Sequence, residues 1–289
     1  RDRSPSRGLG DVYKRQGYTR VPDSYYEAVT SWFARRHDWK IDREWIIYTP
    51  GVVPAISAVI KALTVPGDKV LAQTPVYNCF FSSIRNNGCE MVSSPLVFAG
   101  NTYTIDYEDL ERKVADPKVK VMLLCNPHNP TGKVWRREEL VRIGEICIRY
   151  GVTVVSDEIH CELVFPGHRY TPFASISENF LRHSVTCISP SKAFNIAGLQ
   201  IANIVCSDAE YRAKIDRAIN DNEVCDVNPF GIITTQAAYN EGEEWLNQLI
   251  EYLHANYLYM RGFCREHLPG FPITVLEGTY LISVSYTHL

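Results

Sequence analysis

The stretch VKVMLLCNPHNPTG, residues 119–132, sets seven residues with a single charge directly before two Asn-Pro pairs and a glycine. A continuous apolar run bounded by turn residues predicts a strand covered on both faces, the habit of parallel sheets flanked by helices. The two Asn-Pro pairs and the glycine force a tight turn after it. The same grammar returns twice downstream: VTVVS (152–156) runs into DEIH, and SVTCIS (184–189) runs into PSKAFNIAGLQ. Between the first two strands a helix from about Glu138 ends at Gly151, whose lack of a Cβ suits a C-terminal cap. Strand and helix alternate at parallel-sheet spacing, which predicts an α/β fold with crossover helices.

Upstream, Asp23 or Ser24 is expected to cap a helix carrying Tyr25, Ala28, Val29, Trp32 and Phe33 at helical spacing. IIYT (46–49) predicts a short strand that runs through Pro50 and Gly51 into a helix ending near Ala62. KVLAQ (69–73) predicts a buried strand, followed by a helix after Pro75 with Tyr77, Phe80, Phe81 and Ile84. Asp106 is placed as the cap of a helix through Val114. After residue 198 come GLQIANIVC (198–206) and helices over about 209–220, 230–240 and 243–266.

The 289 residues are 45% hydrophobic and carry a net charge of −3. That is enough chain for a large core, and the balance calls for neither nucleic acid nor a membrane surface as partner. No apolar run approaches the ~20 residues of a membrane helix. Nine cysteines occur with no C-x-x-C pair, several inside apolar runs. They read as reduced thiols in a cytoplasmic protein rather than disulfides or a metal site. Residues 1–16 and the tail 283–289 carry no sustained period; both resemble translated adapter sequence, and the native product is expected to be longer at both ends. A basic disordered arm and a short native tail are the bland alternative.

In open α/β sheets, functional groups collect beyond the carboxyl ends of strands. Four such ends stand out. Asn129, in NPHNPTG, offers a neutral donor and acceptor, although Asn-Pro turns also open ordinary loops. Asp157, in SDEIH, is a carboxylate at a buried strand end, costly unless it meets a cation or a proton donor such as a pyridinium N–H. A helix cap is the alternative. Lys192, in SPSKAF, lies just past a buried strand, where lost solvation favours the neutral amine and makes it a nucleophile toward aldehydes. Ser189 and Ser191 beside it can donate to phosphate oxygens. TPGVV (49–53) leads a strand into a helix, so backbone N–H groups at Gly51, Val52 and Val53 form an anion site. Each motif taken singly has a structural explanation.

The order is the stronger signal: anion loop, Tyr77 in TPVYN, Asn129, Asp157, then Lys192, 35 positions beyond Asp157. It resembles the fold-type I pyridoxal-5′-phosphate (PLP) enzymes of the aminotransferase class I/II superfamily, over nearly all of residues 17–282. Finer matches lie in GYTRVPDSYYEAVTSWFARRHDW (17–39), CNPHNPTGKVW (125–135), SDEIHCELVFPGHRYTPFASIS (156–177) and SPSKAFNIAGLQIAN (189–203). These, with Gln200 where many aminotransferases place arginine, resemble the carbon–sulfur lyase branch of the MalY/PatB and cystalysin type.

The resemblance implies an aspartate-aminotransferase-like three-layer α/β sandwich with a mostly parallel sheet. It implies a PLP-binding large domain over 17–246 and, over 247–282, the start of a truncated small C-terminal domain. It also implies roles. Lys192 holds PLP as a Schiff base and moves the Cα proton, while Asp157 keeps the ring nitrogen protonated. Tyr77 stacks on the ring; Asn129 and His160 bond its phenolic oxygen. Gly51, Val52, Val53, Ser189 and Ser191 hold the phosphate. Tyr18 reaches the phosphate of a neighbouring subunit, which implies a homodimer with shared sites. The implied reaction is α,β-elimination on cystathionine or another L-cysteine S-conjugate, giving pyruvate, ammonia and a thiol. The alternatives are an aminotransferase on the same fold and a PLP-binding sensor domain of a regulator. The family's substrate-carboxylate arginine is expected beyond the sequence given.

Overall fold

The computed structural model describes residues 21–221, 223, 225–271 and 273–283. Tyr18 and both adapter-like segments, apart from Ser283, lie outside the described residues. In chain order the elements are α1 (Asp23–His37), β1 (Ile46–Thr49), α2 (Val52–Leu63), β2 (Lys69–Thr74), α3 (Asn78–Asn86), β3 (Glu90–Pro95), β4 (Val97–Ala99), β5 (Thr102–Thr104) and α4 (Tyr107–Val114). They continue with β6 (Val119–Cys125), α5 (Arg137–Arg149), β7 (Thr153–Asp157), α6 (Glu178–Arg182), β8 (Ser184–Ile188), β9 (Ala202–Val205), α7 (Ala209–Asp221), α8 (Pro229–Glu241) and α9 (Glu243–His267).

Seven strands form one sheet in the order β1-β9-β8-β7-β6-β2-β3. The pairs from β3 to β8 are parallel; β9 alone runs against its neighbours β8 and β1. The strand period of two splits β6 cleanly between two cores. Val121, Leu123 and Cys125 pack with α2, α3 and α7 on one face, and Met122 and Leu124 pack with α4 and α5 on the other. A further core under α1, α8 and α9 completes the second helical layer. This is the three-layer sandwich expected from the sequence. Because β7 keeps the same parity, Asp157 falls on the α2 side with Val155.

Asp106 caps α4 by accepting the Asp109 N–H, and Gly151 closes the end of α5 at φ 69°. One expected cap is different. Pro22, not Asp23 or Ser24, precedes α1, and no side chain caps that end. Asp23 is instead the first helical residue, its carboxylate 2.6 Å from the Arg43 guanidinium. The hairpin β4–β5 and the strand β3 were not anticipated. Helix α9 runs unbroken across positions 246 and 247, where the large and small parts are expected to meet. Among the described residues no helix is long and apolar enough to cross a membrane.

Helix α1 is fastened to the loop after β7 by one buried carboxylate. Glu162 accepts from Trp32 Nε1 at 2.6 Å and Arg36 Nε at 2.8 Å, and lies 2.8 Å from His37 Nε2. Burial alone would push its carboxyl up, but the His37 ring, the Trp32 indole and Arg36 outweigh burial and hold it below the ordinary 4.5. A lowered carboxylate contributes stability that is fully present above the unfolded value and is lost as pH falls through the folded one. Removing one partner of such a buried pair costs about 3–5 kcal/mol. Glu162→Ala is therefore expected to lower unfolding free energy by about that amount at neutral pH. The gap to wild type should narrow below about pH 4.5. Urea unfolding at pH 7 and pH 4 checks this; an equal loss at both would remove the electrostatic account.

Candidate active site

At the carboxyl edge of the parallel strands lies a cavity of about 470 Å³. Helix α2 contributes Val52 and Val53 to its wall, with Gly51 preceding them. Tyr77, at the N-terminus of α3, lines another side. The loop after β6 supplies Asn129, the end of β7 supplies Asp157 and His160, and the loop after β8 supplies Ser191 and Lys192. Residues drawn from five separate stretches, up to 141 positions apart, thus meet around one cavity.

Asp157 is 3% exposed, and the one hydrogen bond to its carboxylate among the described residues comes from the Ile159 N–H at 3.2 Å. No ion pair among the described residues reaches it. Burial, followed by the neighbouring Glu158 charge, pushes its carboxyl up to about 7, against the pull of the Ile159 N–H and Lys192. Lys192 is partly buried and faces the same cavity. His160 is pushed down to about 4 by burial and then by Lys192, so its ring is neutral, and its buried Nδ1 has no partner. Tyr77 rises to about 12 through its hydrogen bond with Cys79 and through burial, which leaves a neutral phenol ring at the wall.

The adjacent carboxylate does a different job. Glu158 turns inward and gathers the Ser156 hydroxyl at 2.8 Å, the Phe173 N–H at 2.9 Å, the Asn126 amide at 3.3 Å and the Tyr170 hydroxyl. It ties the Asn-Pro loop to the chain beyond β7, so Asn129 and Asp157 are held relative to one another. Asn129 itself is pinned through its N–H to Cys125 Sγ at 3.2 Å, leaving its side chain at the cavity.

Ser189 departs from expectation. It does not line the cavity: its hydroxyl donates to the Ile201 carbonyl at 2.7 Å and accepts the Ser191 N–H at 3.1 Å. With its proton committed to Ile201, it fixes the Ser-Pro-Ser turn and leaves Ser191 as the serine of the pair that lines the cavity.

Tyr280 and Leu281, to which the sequence alone assigns no role, close the remaining wall. The Tyr280 ring lies edge-on to His160, centroids 5.5 Å apart. The segment 276–281 is clamped across both site loops. The Glu277 and Gly278 N–H groups donate to the Gly132 carbonyl at 3.0 Å, and the Thr279 N–H donates to the Leu163 carbonyl at 2.7 Å. The Glu277 carboxylate takes Lys133 Nζ and the Val134 N–H, each at 2.9 Å. Gly132 sits at φ 71°, and a Cβ there would run into Leu276 Cδ1. Gly132→Ala therefore combines left-handed strain with a clash, about 1–3 kcal/mol. It is expected to displace the clamped segment, seen as raised protease sensitivity near residue 280. A protected segment in the variant would show that the contact is not needed.

Residues 2–289 match the aminotransferase class I and II family. The chain belongs to that family. Cystathionine beta-lyase PatB of Bacillus subtilis (strain 168) is 43% identical over 271 residues, covering 94% of this chain and 70% of the relative. Among solved structures of this aminotransferase-like fold, cystalysin from Treponema denticola, which contains a pyridoxal 5′-phosphate cofactor, superposes with TM-score 0.92 at 34% identity, covering 93% of this chain and 68% of that one. The PLP-bound C-S lyase from Staphylococcus hominis gives TM-score 0.88 at 34% identity, covering 97% and 72%. The chain thus spans roughly 70% of the length of these family members.

Proposed function

We propose that this chain is a PLP-dependent carbon–sulfur β-lyase that performs α,β-elimination on cystathionine or other L-cysteine S-conjugates. The observation that carries the reading is a buried carboxylate, Asp157, that shares one cavity with Lys192 and has no ion-pair partner among the described residues. The chain fits the cofactor in three further ways. A helix start supplies Val52 and Val53 N–H groups for a phosphate. His160 Nδ1 is buried without a partner. The Tyr77 ring forms a wall.

On this reading PLP supplies an electron sink for charge developing at the substrate Cα. The chain's residues do the rest. Val52, Val53 and Ser191 hold the phosphate. Asp157, as a carboxylate, retains the proton on the ring nitrogen. Asn129 and His160 would supply polar groups to the cofactor ring, and the Tyr77 ring would supply an aromatic surface for it. Lys192 Nζ would anchor the cofactor and, as a free amine, would take the proton from the substrate Cα. The thiolate then leaves from Cβ; it is a good enough leaving group to need little acid catalysis at sulfur. The thiolate takes up a proton as the thiol, and the three-carbon enamine, once released, adds water and breaks down to pyruvate and ammonia.

We further place the protein in the cytoplasm, supported by nine cysteines without a disulfide, and read it as a homodimer in which Tyr18 serves the neighbouring site. Pyruvate and thiol release from cystathionine, followed with the PLP-loaded protein, tests the activity. Oxoacid-dependent amino exchange without thiol release would replace the lyase reading with an aminotransferase.

A further inference from the structure

A second and larger cavity, about 790 Å³, shares no lining residue with the active site. It lies between the loop after β6 and the loop 167–172, with Glu277 in its wall. Its charge is unlike that of the whole molecule. The chain carries a net charge of −3, yet Lys133, Arg136, Arg137 and Arg169 line this one concavity against only Asp38 and Glu277.

The existing pairings do not use up these cations. Lys133 and Glu277 satisfy each other at 2.9 Å, and Arg136 is 3.3 Å from Glu139. The guanidinium of Arg137 meets one main-chain oxygen, that of Ile176, at 3.2 Å. Among the described residues no carboxylate lies within 4.0 Å of Arg137 or Arg169. His168 adds a ring whose Nδ1 is 3.9 Å from Glu277. Two planar forks without a carboxylate partner among the described residues, in a concave wall, make a receptor for bidentate oxyanions, because a guanidinium matches two oxygens at once and a cleft concentrates the field.

We infer that this cavity is a second ligand site, for a small multivalent oxyanion gripped by Arg137 and Arg169. Two forks require at least two anionic groups, so a monovalent ion is a poor occupant. Phosphate and carboxylate oxygens share the needed geometry, and pyrophosphate and citrate represent the two sources.

The test uses the PLP-loaded protein, titrated calorimetrically with inorganic pyrophosphate and, separately, citrate at constant ionic strength. At least one of them should bind saturably with one site per chain. Affinity should fall tenfold or more in the double variant Arg137→Gln, Arg169→Gln. That variant should keep its cofactor absorbance and unfolding midpoint, since both side chains are exposed. PLP fills the active-site phosphate cup in this protein, so either probe should bind without loss of cofactor absorbance. Saturable binding of neither probe, or undiminished affinity in the folded double variant, would overturn the site. Loss of cofactor absorbance in step with probe binding would move the anion to the phosphate cup of the active site and overturn it as well. The lyase reading stands or falls separately, on thiol release.

Discussion

Replacing Lys192 with alanine is expected to abolish the visible absorption that covalent attachment of PLP gives, and to lower thiol release by about a thousandfold or more. The expectation follows from geometry. Lys192 lines the cavity, where its charge is felt by both Asp157 and His160. The phosphate-holding role proposed for Val52, Val53 and Ser191 does not depend on the lysine, so the variant should still retain PLP on gel filtration, non-covalently. The anchor and the proton carrier are the same atom, and for that reason both functions should fail together. Persistence of the absorption band in the alanine variant would sink the assignment, whatever became of activity.

Asp157→Asn should move stability and function in opposite directions. In the cofactor-free protein the carboxyl is raised from an ordinary 3.8 to about 7, chiefly by burial. A raised carboxylate works against the folded state as pH climbs. The folded form holds its proton longer than the unfolded one, so stability is full below about pH 4 and declines as pH rises through 7. The loss at alkaline pH is on the order of 4 kcal/mol. Asparagine removes the charge yet can still accept the Ile159 N–H. The cofactor-free variant should therefore resemble wild type near pH 4 and exceed it in urea resistance at pH 8. The same change should weaken PLP binding and slow turnover about a hundredfold or more, since the ring nitrogen loses its counter-ion. If the asparagine variant gained no stability at pH 8, the buried charge would not be the uncompensated cost that the cavity implies.

The parts of this arrangement legible in the sequence are those written in local chemistry. Val119–Cys125 announced itself as a doubly covered strand because its side chains meet apolar layers on both faces. The Asn-Pro turn, the Asp157 strand end and the Lys192 loop stood out because each follows such a strand, where polar groups need a reason. The antiparallel direction of β9 was not readable, since composition carries no sign of strand direction. Strand β3, EMVSSP, escaped notice because its two serines and terminal proline give little β signal. Ser189 and Ser191 look alike in sequence; what separates them is the Ile201 carbonyl, brought over from twelve positions away. Tyr280 was hidden for the same reason in larger measure. Its place depends on clamps to Gly132 and Leu163 that no local pattern announces.

That clamp also fixes an order of events at the ribosome. Lys133 and Glu277 are 144 positions apart, and chains are made from the amino end at about 5–20 residues per second. Every residue from Gly51 to Lys192 therefore emerges well before the segment that seals the wall. During that interval the nascent chain carries a half-built pocket, with Gly132 and Leu163 offering carbonyls that only water can meet. Contacts of such long range form slowly because the intervening loop must first be closed. Translation paused short of residue 276 would leave the pocket open on its Tyr280 side.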